Sequence, residues 1–207
     1  MVRRTKEDAE ATRHLLLDAA ERVFNEKGVA RTSLAEIAAA AGMTRGAIYW
    51  HFKNKADLFH AMLERVKMPI DAMIEQIKQE QETNPLTMLR DSAVSVLRRV
   101  AADAQTRCVF DIVRHKCELV DDMDVARDRQ MESRAGCHAK IEQDIVAAIA
   151  QGLLPQHLDP HIAAIGLHAF IDGLISNWVL HPESFSLGNE AEQLIDIYIE
   201  GLRHLTR

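Results

Sequence analysis

The sequence predicts an all-α protein in two parts, a helix-turn-helix segment at 1–54 and a larger helical segment at 55–207. Three observations carry that prediction. Only 9 Gly and 5 Pro punctuate 207 residues, too few turn signals for a strand-rich sandwich. Apolar residues recur three and four apart along most of the chain, the spacing of one helix face. Several of the breaks carry residues that start or stop helices. The composition, 47% hydrophobic and 27% charged, is that of a packed chain and excludes a disordered one.

The elements follow in order. Leu16, Ala19, Ala20, Val23 and Phe24 share a helical face, and Gly28 is placed to cap its end, which predicts a first helix over 6–27. Ser33-Leu34-Ala35-Glu36 matches a capping box, so a second, short helix runs over 37–41 and stops at Gly42. Thr44 caps a third over 45–52, and Asn54 caps a fourth from Lys55. Leu58, Met62, Val66, Met73 and Ile77 continue the fourth, but Pro69 interrupts it. A proline either kinks a helix or begins a new one, and the spacing leaves both open. Breaks near Asn84-Pro85, Asp103 and Asp121-Asp122 bound helices over 86–102, 106–119 and 124–150. Asp159-Pro160 starts the eighth, and a ninth covers 189–205.

Two exclusions follow from residue usage. Cys108, Cys117 and Cys137 form no CxxC pair and are odd in number, which argues against a disulfide framework and a structural zinc site and fits a reducing cytosol. The stretch 162–180 is long and apolar enough to raise a membrane span, but it holds His168, Asp172, Ser176 and Asn177. An ionised aspartate near a bilayer centre costs about 2.5–3.5 kcal/mol on insertion scales, so a buried helix is expected and no membrane. The first fourteen residues lack an apolar core, so no secretory signal is expected.

Charge is divided unevenly. Residues 1–60 hold ten Lys/Arg against eight Asp/Glu, and the remainder fifteen against twenty-three. A short segment facing an anion and an acidic remainder would produce that division. The second and third helices, joined at Gly42-Met43-Thr44, have the outline of a helix-turn-helix. The third carries Arg45, Tyr49, Trp50 and His51, a poor set for a core. A helix entering a groove has use for them, Arg45 for a base edge or phosphate and the others for backbone contact. Against this, Tyr49 or Trp50 could be partly core and His51 a structural hydrogen-bonder. Arg3, Arg4 and Lys6 serve equally as a DNA-contacting arm or a solvated terminus.

The run TSLAEIAAAAGMTRGAIYWHFKNKADLF, residues 32–59, resembles the DNA-binding signature of TetR-family transcriptional repressors. The opening MVRRTKEDAEATR and the later HKCELVDDM are similar to the AcrR-like branch that controls multidrug efflux pumps. The resemblance implies a cytoplasmic homodimer, with three DNA-binding helices and six more around a ligand pocket in each subunit. It implies phosphate contacts from Thr32, Ser33 and Lys55, groove contacts from Thr44, Arg45, Gly46 and Tyr49, and backbone positioning by Trp50 and His51. It also implies a pocket for a hydrophobic or aromatic inducer drawn from Val66, Leu89, Val96, Phe110, Arg114, Cys137, Ile141, His168, Ile171, Asp172 and Ile175. Asp172 then needs a partner, whether Arg114, His168, a ligand amine or a neighbouring subunit. The partners expected are operator DNA, the inducer and a second copy joined through the last two helices, whose apolar residues outnumber what one small domain buries.

An enzyme is not expected, since the chain has no Gly-rich phosphate loop, GxSxG elbow, HExxH or kinase signature. No metal or other cofactor is expected either, because the closest histidines, His157 and His161, straddle Asp159-Pro160. A redox-sensing or metabolite-sensing regulator of the same family is the alternative reading.

Overall fold

The computed structural model describes residues 6–80, 84–118 and 124–206. Among them are nine helices and no strand: α1 (Lys6–Lys27), α2 (Leu34–Ala40), α3 (Arg45–His51), α4 (Lys55–Glu80), α5 (Pro85–Ala102), α6 (Ala104–His115), α7 (Asp124–Ala150), α8 (Pro160–Leu180) and α9 (Leu187–Arg203). By contacts the chain divides into two compact units, Met1–Val66 with Cys108–Arg129, and Lys67–Arg107 with Gln130–Arg207. Arg3, Arg4 and the expected break at Asp121-Asp122 lie outside the described residues.

The caps explain where the helices start. Ser33 accepts the Glu36 amide while the Glu36 carboxylate takes the Ser33 amide. Thr44 accepts the amide of Ala47, Asn84 those of Leu86 and Thr87, and Asp159 those of His161 and Ile162. Each side-chain acceptor satisfies amides that have no partner inside the helix. α4 is one continuous helix with Pro69 inside it, so the proline does not start a new element. Its ring faces outward and exposed, as does neighbouring Met68.

In the first unit α2 packs on α1 and α3 on α2. Leu16, Leu17, Phe24, Ile37, Ile48, Leu58, Phe59 and Met62 are all fully buried, each worth about 1.5–3 kcal/mol of apolar burial. Phe24 and Phe59 meet edge to face with centroids 6.3 Å apart. Arg65 of α4 reaches Glu21 at 2.5 Å and Asp18 at 2.7 Å on α1, which compensates the buried Glu21 carboxylate.

The end of α6 closes the same unit. The Val29 amide donates to the Lys116 carbonyl at 2.9 Å, and the Lys116 ammonium donates to the Asn25 carbonyl and side-chain oxygen at 2.8 and 2.6 Å. That ammonium also lies 3.1 Å from Asp111. α6 stops at His115, and the expected end at 119 lies outside the described residues.

In the second unit α5 lies against α9, and α8 packs on both. Arg90 grips Asp196 with two bonds of 2.5 and 2.9 Å, the strong planar geometry of guanidinium and carboxylate. α8 and α9 meet at Gly166, where Tyr198 donates its hydroxyl to the Ala163 carbonyl at 3.0 Å and stacks on Phe170. A Cβ on Gly166 would overlap that hydroxyl. α8 is, among the described residues, the one helix long and apolar enough to cross a membrane. It buries Ala163, Ala164, Leu167, Ile175 and Trp178 within the chain. The all-round burial expected of it is incomplete, since Ile162 is 64% and Ile165 38% exposed.

Candidate nucleic-acid interface

α2 and α3 are joined by a tight turn in which Gly42 has φ +68°, a conformation costly for any residue with a Cβ. The Met43 amide closes the turn onto the Ala38 carbonyl at 2.8 Å. Ile48 is the one fully buried residue of α3 and holds it to the unit. Arg45, Gly46, Tyr49 and Trp50 face out, while Ala47 and His51 are half-buried.

That outward set is unusual. Trp50 is 72% and Tyr49 48% exposed, so neither is core. The Arg45 guanidinium lies 5.7 Å from the Tyr49 ring centroid, within cation–π range. Arg45 opens the helix, and α3 has no acidic residue in its first turn. A cation there opposes the helix dipole by a few tenths of a kcal/mol, roughly. Gly46 is exposed, and a Cβ placed on it would meet nothing nearer than Thr44 Oγ1 at 3.9 Å. No packing inside the chain requires that glycine.

The remaining expected contacts are placed differently. Ser33 and Thr44 are exposed and serve as helix caps. Thr32 is only 3% exposed, and its hydroxyl donates to the Gly28 carbonyl at 2.8 Å. Its side chain closes the turn that Gly28 makes at φ +81°. His51 is half-buried between the rings of Trp50 and Phe52. Lys55, also half-buried, donates to the Ala30 carbonyl at 3.3 Å.

Beneath Ser33 the Glu36 carboxylate is held at about 2, below its ordinary 4.5. The causes are the hydrogen bond from Lys27, then the Ser33 amide and then the Ser33 hydroxyl. A depressed folded-state value means that the contribution is present above about 4.5 and is lost as pH falls through about 2. Carboxyl NMR titration of Glu36 should therefore give a midpoint near 2, and Lys27→Met should raise it. A midpoint near 4.5 in the parent would mean that the capping box does not persist in solution.

The expected effector residues divide between the two units. Val66, Phe110 and Arg114 fall in the first, and Leu89, Val96, Cys137, Ile141, His168, Ile171, Asp172 and Ile175 in the second. Within the second, the Asp172 carboxylate lies 3.4 Å from Arg134 and 3.8 Å from His168. The His138 ring meets His168 edge to face at 4.7 Å. Sequence reasoning named His168 as a partner for Asp172 but missed Arg134 and His138, which approach from α7. An open groove of about 680 Å³ also lies in this unit, between the end of α5 and the α8–α9 connection, with Arg98, Trp178 and Phe185 in its walls. It contains none of the expected effector residues. Among the described residues no group of three or more His, Cys, Asp or Glu is placed to hold a metal ion.

Two family profiles match the chain. "Bacterial regulatory proteins, tetR family" covers residues 16–62, and "MAATS-type transcriptional repressor, C-terminal region" covers 84–204. The chain is 42% identical over 203 residues to the HTH-type transcriptional regulator TtgR of Pseudomonas putida, covering 98% of this chain and 97% of that one. Among solved structures it is similar to NalD, the secondary repressor of the MexAB-OprM multidrug efflux pump in Pseudomonas aeruginosa. That match has a TM-score of 0.87 and 36% identity over 96% of this chain and 99% of that one. It is also similar to SmeT, the repressor of the Stenotrophomonas maltophilia efflux pump SmeDEF, in its complex with triclosan. There the TM-score is 0.81 and the identity 33%, over 92% of this chain and 91% of that one.

Proposed function

The chain belongs to the TetR family of bacterial regulatory proteins, and from that membership we propose that it is a homodimeric, ligand-responsive repressor of a multidrug efflux operon. Residues 1–54 bind a palindromic operator, and residues 55–207 carry the inducer site and the dimer contact. The observation that carries the DNA reading is α3 itself. Arg45, Tyr49 and Trp50 stand open around an unobstructed Gly46, on a helix anchored by Ile48. Such a face matches a major groove, where Arg reads guanine and aromatic residues pack along the backbone. Ser33 and Lys55 flank it toward the phosphates, with Thr44 at the start of α3 and His51 at its end.

The inducer is a hydrophobic or aromatic compound, consistent with the triclosan complex of SmeT. The eleven residues from Val66 to Ile175 named above are its proposed lining, and a repressor that meets DNA in this way works in the cytoplasm. The dimer forms through α8 and α9, which leave Ile162, Ile165 and Ile197 exposed, apolar area that a second copy covers. Footprinting the purified protein on DNA adjoining its own gene tests the reading. A protected palindrome that is released by hydrophobic compounds is expected, and absence of any protected site would overturn the proposal.

Two of the three thiols, Cys117 and Cys137, argue against the redox-sensing alternative. Burial pushes Cys117 up to about 11, with Lys55 opposing the shift. Cys137 is raised by burial first and by Asp71 second. The nucleophile is the thiolate, so such cysteines react slowly at neutral pH. Dilute peroxide is expected to leave operator affinity unchanged while a hydrophobic inducer lowers it. Loss of binding with peroxide, restored by a reductant, would reverse the assignment.

A further inference from the structure

Ser92 of α5 is 8% exposed, and its hydroxyl has no hydrogen-bond partner. A serine in a helix ordinarily escapes this by donating to the carbonyl four residues back, here that of Met88, but that bond is not made. A buried hydroxyl without a partner is costly, and native proteins contain few.

Its place along α5 gives the face on which it lies. Arg90 and Arg98 reach Asp196 and Glu192 of α9, and Ala101 lies 3.2 Å from a Cβ built on Gly188. These residues mark the α9 side of α5. At 100° per residue Leu89, Ser92 and Val96 share the other side, about 160° round the helix. Leu89 is 3% exposed and Val96 only half-buried. The unpartnered hydroxyl therefore shares its face of α5 with two of the apolar residues proposed to line the inducer site.

We propose that Ser92 is the hydrogen-bonding point of that site. The proposal rests on the inducer-binding reading and narrows its ligand class. A lone hydroxyl offers one donor and two acceptor positions. It does not offset a buried ionic group, which needs a countercharge. The ligand that fits presents a neutral hydroxyl or carbonyl to Ser92 while its rings lie on Leu89 and Val96.

The test compares 4-phenoxyphenol with diphenyl ether, which lacks only the hydroxyl, by calorimetry on the full-length protein. The parent is expected to prefer the phenol. Ser92→Ala should weaken phenol binding by about tenfold and leave the ether's affinity unchanged. The melting temperature of the free variant should stay at or above the parent's, because no hydrogen bond is lost from the free protein. Equal loss for both compounds, an unchanged preference for the phenol, or a lower melting temperature would each overturn the assignment of Ser92 alone. Failure of the parent to bind either compound would overturn it together with the inducer reading.

Discussion

Arg45→Ala is expected to lower affinity for the specific operator by about 1–3 kcal/mol, roughly 5- to 150-fold, and to relax preference at one base position. The guanidinium lies beside the exposed Tyr49 ring and sits at a helix start, where a cation gains nothing from the dipole. Removing it should therefore leave the fold intact. Lys55→Ala should act differently, weakening all sequences alike and reducing the salt slope by about 0.9 for each phosphate no longer neutralised. Because Lys55 also bonds the Ala30 carbonyl, its melting curve belongs beside its binding curve. Titrations on operator and scrambled DNA at several salt concentrations separate the two effects. Equal operator affinity for Arg45→Ala and the parent would remove α3 from the interface.

Two glycines on α8 should respond to the same substitution with opposite signs. Gly173→Ala meets nothing within 4 Å and should gain up to about 1 kcal/mol from helix propensity. Gly166→Ala drives its methyl into the Tyr198 hydroxyl, which is fixed by Ala163 and by Phe170. Overpacking of this kind costs about 1–3 kcal/mol, and it falls where α8 and α9 present their outer apolar residues. Gly166→Ala should thus melt earlier and bind operator only at higher protein concentration, through weakened dimerisation. Adding Tyr198→Phe removes the colliding oxygen and should recover part of the loss. Denaturant melts of the parent, both alanine variants and the double variant decide it, and a shift in the same direction for both glycines would count against the contact.

Helix starts were legible because the side chains that set them are local. Ser33 with Glu36, Thr44 and Asp159 each cap within three residues. The exposure of Tyr49 and Trp50 was legible from residue type. What failed depends on partners distant in sequence. α6 ends before Lys116, whose carbonyl and ammonium are taken by Val29 and Asn25, about ninety residues earlier. Arg134 reaches Asp172 across two helices, a pairing with no periodic signal. Ser92 carried none either, since an unsatisfied hydroxyl is visible only when every neighbour is in place.

The Lys116 clasp bears on how this regulator can be recombined. Heads that read different operators invite exchange between relatives by a single splice after α3 or α4. Here such a splice would separate Asn25 and Val29 from the residue that holds them, because that residue arrives with the later part of the chain. A backbone carbonyl at 116 survives any side-chain change, so the Val29 bond would transfer. The ammonium bonds to Asn25 would transfer only if the recipient also carries lysine there, with an acid at 111 beside it. A working chimera is thus a three-piece graft, in which the foreign head travels with its own strap from the end of α6.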